Sequence, residues 1–405
     1  MGGGIGGLTL ALSLRQVGIA CVVFEAAPQL KPLGVGINLL PHGTRELTEL
    51  GLEERLAKRA VTTREVVFCN RFGQFIFREP RGRFAGYDWP QFSIHRGDLH
   101  EVLLDAVRER LGADAIRLGK KCVGVEQDAR TVTLRFEDGG TAEGVAAIGC
   151  DGMHSAVRKI LYPDEGPPAY QGINMWRGAT RAMPYLTGAS MVVGGWLEVG
   201  KIVVYPIRDA IDAEGRQLVN WVAEIQSPRN VMQDWNLAGR LEDFYPVFAG
   251  WSFDWLDVAA LLRNADTILE YPMVDRDPLP AWSCGRATLL GDAAHPMYPR
   301  GSNGAGQAIL DARALAACLR REPDPAAALR AYEAIRLKPA YDVVLMNRAN
   351  PPDAILREVH RRTGDRPFAR IEDVISEDEL LALSEDYKRV AGFERDALAR
   401  RESFI

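Results

Sequence analysis

Six cysteines in 405 residues (Cys21, Cys69, Cys122, Cys150, Cys284 and Cys318) include no C-x-x-C pair. That argues against a structural zinc site or a disulfide framework and fits a reducing compartment. No apolar run reaches the roughly 20 residues of a membrane span. The N-terminus carries neither a basic region nor a small-residue cleavage site, so no signal peptide is expected. Basic charge is not in excess either. The 49 Lys and Arg against 54 Asp and Glu leave a net charge of −5, which gives no support to nucleic-acid binding. The six histidines show no H-x-x-x-H or facial-triad spacing, so no metal site is expected. Repeats and low-complexity segments are absent. What remains is an ordinary cytoplasmic globular composition, 47% hydrophobic and 25% charged, long enough for two or three domains.

One further absence lies at the start. The chain opens "MGGGIGGLTL", in which Gly2, Gly4 and Gly7 fit G-x-G-x-x-G. In that pattern the glycines make a tight turn and bring backbone N–H groups up to a pyrophosphate. The motif follows a β-strand, yet one residue precedes it here. Such a strand normally lies mid-sheet, paired on both sides, so the pattern predicts a start some six or more apolar residues upstream. After the glycines, "GLTLALSLRQVG" reads as a helix stopping at Gly18, and "IACVVFEAA" as a short strand ending at Glu25. Glu25 lies 18 residues beyond Gly7, near the spacing at which a carboxylate accepts hydrogen bonds from ribose hydroxyls.

Farther along, residues 62–92 alternate as strands, and "SIHRGDLHEVLLDAVRERLG" is a long amphipathic helix. "CVGVEQ" and "TVTLRFEDG" read as strands, with a hairpin-like "DGG" after them. Residues 168–275 carry alternating apolar and aromatic positions ("KIVVYPI", "LVNWVAEI") and predict a mostly antiparallel sheet. From "RATLLGDAAHPM" the chain returns to strand, turn and helix, and the segment from 351 is charged and helical. The fold class is α/β, a Rossmann-type domain with an inserted antiparallel sheet and a helical C-terminus. The boundaries place the nucleotide domain at 1–65, 91–167 and 276–350, the sheet domain at 66–90 and 168–275, and the helical segment at 351–405.

Two later stretches carry chemistry. "CDGMHSAVR" puts Asp151 and Gly152 after an apolar strand, followed by Ser155 and Arg158. "LLGDAAHPMYPRGSNGAGQAILDA" puts Asp292 after another, then Pro299 and a glycine-rich entry into a helix. An acidic strand end reaches polyol hydroxyls, and helix-opening N–H groups face the electron-rich edge of a reduced flavin. Taken alone, each segment also suits a plain strand-to-helix turn.

With Glu25, Arg96, "PQFSIHRGDL", "GINMWRG" and "YPMVDRDPLP", these motifs resemble the FAD-dependent aromatic hydroxylases of the para-hydroxybenzoate hydroxylase class. Within that class they look most like the phenazine hydroxylases acting on 5-methylphenazine-1-carboxylate. The resemblance runs from Gly2 to about residue 348. It implies that Gly2, Gly4, Gly6 and Gly7 line the FAD pyrophosphate, and that Glu25 and Ala26 meet the adenosine. Asn38 would sit near the ribityl–flavin junction, Arg96 would reach the pyrophosphate, and Cys122 would contact adenine through its backbone. Asp292 would bind the ribityl chain, while Ser302, Asn303, Gly304, Ala305 and Gly306 would wrap the isoalloxazine. Pro299 would stand on its substrate side as the catalytic position.

The resemblance further implies NADH or NADPH as a transient reductant, since no second complete G-x-G-x-x-G is present. Oxygen would react through a C4a-hydroperoxyflavin, and the enzyme would be a monomer or homodimer. Trp176, Tyr205, Trp221 and Tyr271 are the expected aromatic lining of the substrate pocket, although aromatics at strand positions are commonly sheet core. Arg177 would meet a substrate carboxylate or solvent. His95, His100 and His295 read as packing or capping residues. A flavin halogenase and a flavin-binding protein without hydroxylase activity are the competing readings; the absence of W-x-W-x-I-P text weighs against the first.

Overall fold

The glycine helix, Ile5–Gln16, is buried on two opposite sides. Leu8 and Leu12, four residues apart, pack with Leu39, Leu47, Leu99 and Val102. Leu10 and Leu14 form a second such stripe against Leu289, Leu290, Ala312 and Leu315. Alternate leucines in a helix therefore serve two cores, which is why this segment has no polar face. The computed structural model describes residues 1–30, 34–227 and 237–405. The "KPL" of the sequence "LKPLGVGIN" lies outside the described residues.

Around that helix stand two parallel strand pairs. Val23–Phe24 runs beside Ile116–Arg117, and Ala147–Gly149 beside Ala287–Leu289. Met1 and Gly2 lie between the pairs. Gly2 N–H donates to Phe24 O at 2.7 Å, Cys150 N–H donates to Met1 O at 2.7 Å, and the terminal ammonium donates to Ile148 O at 2.6 Å.

The second layer is an eight-stranded sheet. From one edge, its strands are Leu237–Ala238, Thr267–Asp275, Ala169–Ala182, Gln217–Gln226, Gly200–Arg208, Ser190–Trp196, Glu65–Cys69 and Phe75–Pro80. All neighbours are antiparallel except Ser190–Trp196 with Glu65–Cys69. Strand alternation assigns its two faces. Trp176, Trp221, Ile202, Val204, Val192 and Val67 point one way, into a core with Phe244, Phe248 and Trp251. Arg177, Met175, Val222, Glu224, Lys201, Val203 and Tyr205 point the other way, into a cavity.

Helices Gly304–Arg321 and Pro325–Ala349 carry the chain back past the glycine helix. Ala354–Thr363 and Glu377–Ala391 then pack Ile355, Leu356, Val359 and Leu380 onto Val66, Phe68, Ile76 and Phe77 of the sheet. The last of these helices starts at a complete capping box, Ser376 with Glu379. Among the described residues no helix is long and apolar enough to cross a membrane.

Candidate active site

Two helices open onto one cavity of about 620 Å³, and among the described residues no side chain caps their first N–H groups. One is the glycine helix, preceded by Gly4; the other is Gly304–Arg321, preceded by Asn303. Neither has an acidic residue in its first turn. Both positive helix ends are thus left for an anionic or electron-rich ligand.

The opening glycines divide by role. Gly2 has φ +103°, and a Cβ there would lie 2.2 Å from Cys150 O, so it makes the turn. A Cβ on Gly7 would lie 2.0 Å from Gly2 O, so it permits the helix to approach the strand end. A Cβ on Gly4 would meet nothing within 4 Å. Its open side faces the cavity, where a phosphate would stand. Gly6 also lines the cavity, with Leu290 beneath it. Glu25 lies behind the turn: its carboxylate accepts from Gly3 N–H at 2.7 Å and Ala27 N–H at 2.8 Å.

Asp292 projects into the cavity and has no hydrogen-bond partner among the described residues. Enclosure by the protein raises its pKa, against the pull of His295 and Arg96. Arg96, the first residue of helix Arg96–Leu111, faces the same space and has no carboxylate salt bridge among the described residues. Asn38 is held by Ser93, whose hydroxyl donates to its Oδ1 at 2.6 Å, and its amide reaches Ser302 Oγ at 3.4 Å. Gly301 and Ser302 both have positive φ (71° and 57°). That strained turn is rare for serine, and Tyr387 braces it: a Cβ on Gly301 would lie 2.0 Å from Tyr387 Oη.

The two late motifs are locked together. Asp151 caps the helix Ala156–Leu161, accepting from Ala156 N–H at 2.7 Å. Arg158, 2% exposed, donates to the carbonyls of Ala293 and Ala294 at 3.0 and 2.8 Å and pairs with Glu165. His95 accepts from Gly97 N–H at the start of its helix, His100 reaches Gly3 O, and His295 pairs with Asp311.

The cavity continues from Pro299 to the sheet, where Tyr205 and Tyr271 line it. Trp176 and Trp221 do not. They occupy even-numbered and odd-numbered slots, respectively, of two antiparallel strands whose register turns both side chains to the far face, and both pack against Phe244. The expectation that they line the pocket is corrected, because the period of two decides the face and a bulky ring carries no mark of which face it takes. Arg177 does reach the cavity, donating to Gly36 O at 2.9 Å. Gly2, Gly7, Glu25, Ala26 and Cys122 stand outside the cavity wall, as does Gly306, which faces His42. Cys122 packs with Phe24 and Phe136.

The sequence reading missed several charged residues. Lys201 and Glu224 are cross-strand partners, 2.9 Å apart, and Lys201 also pairs with Asp353. Arg81 and Lys388 share Glu79. One signal was present: single charges inside the apolar strands "GKIVVYPI" and "LVNWVAEI" sit two and four positions from cavity residues. Helix Glu377–Ala391 also contributes Ser384 and Tyr387 to the wall.

The family model "FAD binding domain" matches residues 1–171. A phenazine 1,6-dicarboxylic acid hydroxylase of Lysobacter antibioticus is 43% identical over 96% of this chain and 95% of its own. The chain belongs to the FAD-dependent aromatic hydroxylases. A 3-amino-4-hydroxybenzoate 2-monooxygenase of Streptomyces platensis is 37% identical to this hydroxylase over 90% of the chain and 86% of its own. Among solved structures, Klebsiella pneumoniae HpxO complexed with FAD and uric acid superposes with a TM-score of 0.76 at 27% identity, covering 98% of this chain and 95% of that one. The cofactor of the hydroxylase is FAD, and the open cradle at Gly4, the unpartnered Asp292 and the two uncapped helix ends fit it.

Proposed function

We propose that the hydroxylase adds one oxygen atom of O2 to an aromatic or N-heteroaromatic acid of phenazine-carboxylate type, with NADH or NADPH as reductant. One observation carries the reading: the helix ends that suit FAD and the sheet floor, with its apolar and charged side chains, belong to one continuous cavity, with Pro299 at their junction. The curated relative at 43% identity acts on a phenazine dicarboxylic acid by name.

FAD supplies the electron transfer and oxygen activation when bound. The chain's residues do the rest. Gly4, Gly6 and the first turn of the glycine helix hold the pyrophosphate, with Arg96 contributing its charge. Glu25 has lone pairs beyond its two amide bonds for ribose hydroxyls, with Ala26 and the Cys122 backbone toward the adenine. Asp292 and Asn38 orient the ribityl chain. The N–H groups of Ser302 to Ala305, which line the cavity, would hold the flavin ring and offer hydrogen bonds to an electron-rich edge. Pro299 closes the substrate side, while Val66, Phe68, Val193 and Val203 exclude water from the reacting ring.

The test is a panel of phenazine, salicylate, hydroxynicotinate and urate compounds added to the holoenzyme. Phenazine carboxylates should stimulate NAD(P)H oxidation and yield a product heavier by one oxygen atom. Oxidation that no aromatic stimulates would refute the reading.

A further inference from the structure

The cations on the substrate side of the cavity are not equally committed. Lys201 is balanced by two buried carboxylates, Glu224 and Asp353. Arg177 and Arg300 have no carboxylate salt bridge among the described residues; Arg177 donates to a backbone carbonyl, and Arg300 stands near Asp353. Arg81 and Lys388 are instead a pair, two cations brought to one place. Both line the cavity, yet they share one buried carboxylate, Glu79, which does not line it. The only other carboxylate partner among the described residues is the exposed Glu385, 2.7 Å from Lys388.

The arrangement is built from distant parts of the chain. Arg81 follows the edge strand Phe75–Pro80, and Lys388 belongs to helix Glu377–Ala391. Glu79 accepts from Ser384 Oγ at 3.0 Å and lies 2.8 Å from Arg81. Burial pushes the Glu79 carboxyl up, and Arg81 and Lys388 pull it down further, so it stays charged. Its fixed charge, behind the wall, holds both cations in the wall, which also carries the apolar Val66 and Phe68. Two positive heads beside apolar walls match an anionic substituent on a flat ring.

We infer that Arg81 and Lys388 form the subsite for a carboxylate of the aromatic substrate, with Glu79 behind them setting how much positive charge that carboxylate meets. The inference rests on the reading of this cavity as the aromatic-substrate site. It names the residues that select acids over neutral rings.

The test compares three acids with their carboxamides on the FAD-loaded enzyme: phenazine-1,6-dicarboxylate, 3-hydroxybenzoate and 6-hydroxynicotinate. Binding is read from perturbation of the flavin absorbance. At least one acid should bind about tenfold more tightly than its amide, as a charge-assisted contact requires. Arg81→Met and Lys388→Met should each abolish that preference with amide binding unchanged. Either change leaves Glu79 short of a partner, so each is repeated on a Glu79→Gln background, which removes the buried charge. Glu79→Gln alone should strengthen acid binding, because both cations lose their shared carboxylate. A panel with no acid preference in the parent enzyme, or variants that keep the preference, would overturn the subsite. The hydroxylase reading fails separately, by the absence of aromatic-stimulated NAD(P)H oxidation.

Discussion

Asp311 accepts a hydrogen bond from His295 Nε2 at 2.6 Å, with both side chains fully buried. The same carboxylate accepts from Gly291 N–H at 3.0 Å and Arg336 Nε at 2.8 Å. One residue of helix Gly304–Arg321 therefore fixes the turn that presents Asp292 to the cavity.

Removing Asp311 strands a buried guanidinium and a backbone N–H. Asp311→Ala should lower unfolding free energy by about 3–5 kcal/mol, measured by urea denaturation at neutral pH. Burial pushes the Asp311 pKa up, but His295 and Arg336 outweigh that and leave it below the ordinary value. The native value is thus the lower one. The contribution is full above pH ~4 and is lost as pH falls through the native pKa. The parent's advantage over the variant should shrink in acid.

Gly4 and Gly7 should separate ligand binding from folding. Gly4→Ala places its methyl in open space, so the apo-protein should melt within about 2 °C of the parent, the range of a neutral surface change. FAD affinity should fall at least about tenfold, because the methyl occupies the pyrophosphate's approach. Gly7→Ala drives a methyl to 2.0 Å from Gly2 O and should destabilise the apo-protein itself. Calorimetry without FAD and flavin-fluorescence titration distinguish the two.

His42 should contribute an acid-side loss of stability. Its ring is fully buried and stacks on Phe393. Burial, then Arg401 and Arg336, lowers its pKa from 6.5 to about 3. Between those values the unfolded chain binds a proton that the native state refuses, so stability falls with pH by at most about 1.4 kcal/mol per unit. His42→Gln should flatten the stability profile in that window and leave it unchanged above pH ~7.

Trp221 should matter to the core and not to the ligand. It is 0% exposed, and its Nε1–H donates to Thr180 Oγ1 at 3.1 Å. Trp221→Ala should cost about 3–5 kcal/mol by denaturant unfolding. At temperatures where the variant stays folded, its affinity for the aromatic acid should match the parent's.

The sequence motifs, through their resemblance to a known family, pointed to the family and the cofactor, because nucleotide-binding turns are local and written in glycine, aspartate and strand ends. The leucines of "LTLALSL" specified a helix, though only packing showed that its two stripes serve separate cores. The substrate side was decided by tertiary structure. Whether Trp221 or Val222 faces the cavity depends on sheet register, a difference of one residue that reverses every side chain. Arg81 and Lys388 lie 307 positions apart, and no local pattern couples them. They meet only because helix Glu377–Ala391 packs across the sheet edge, where a shared buried carboxylate holds both charges at the cavity wall.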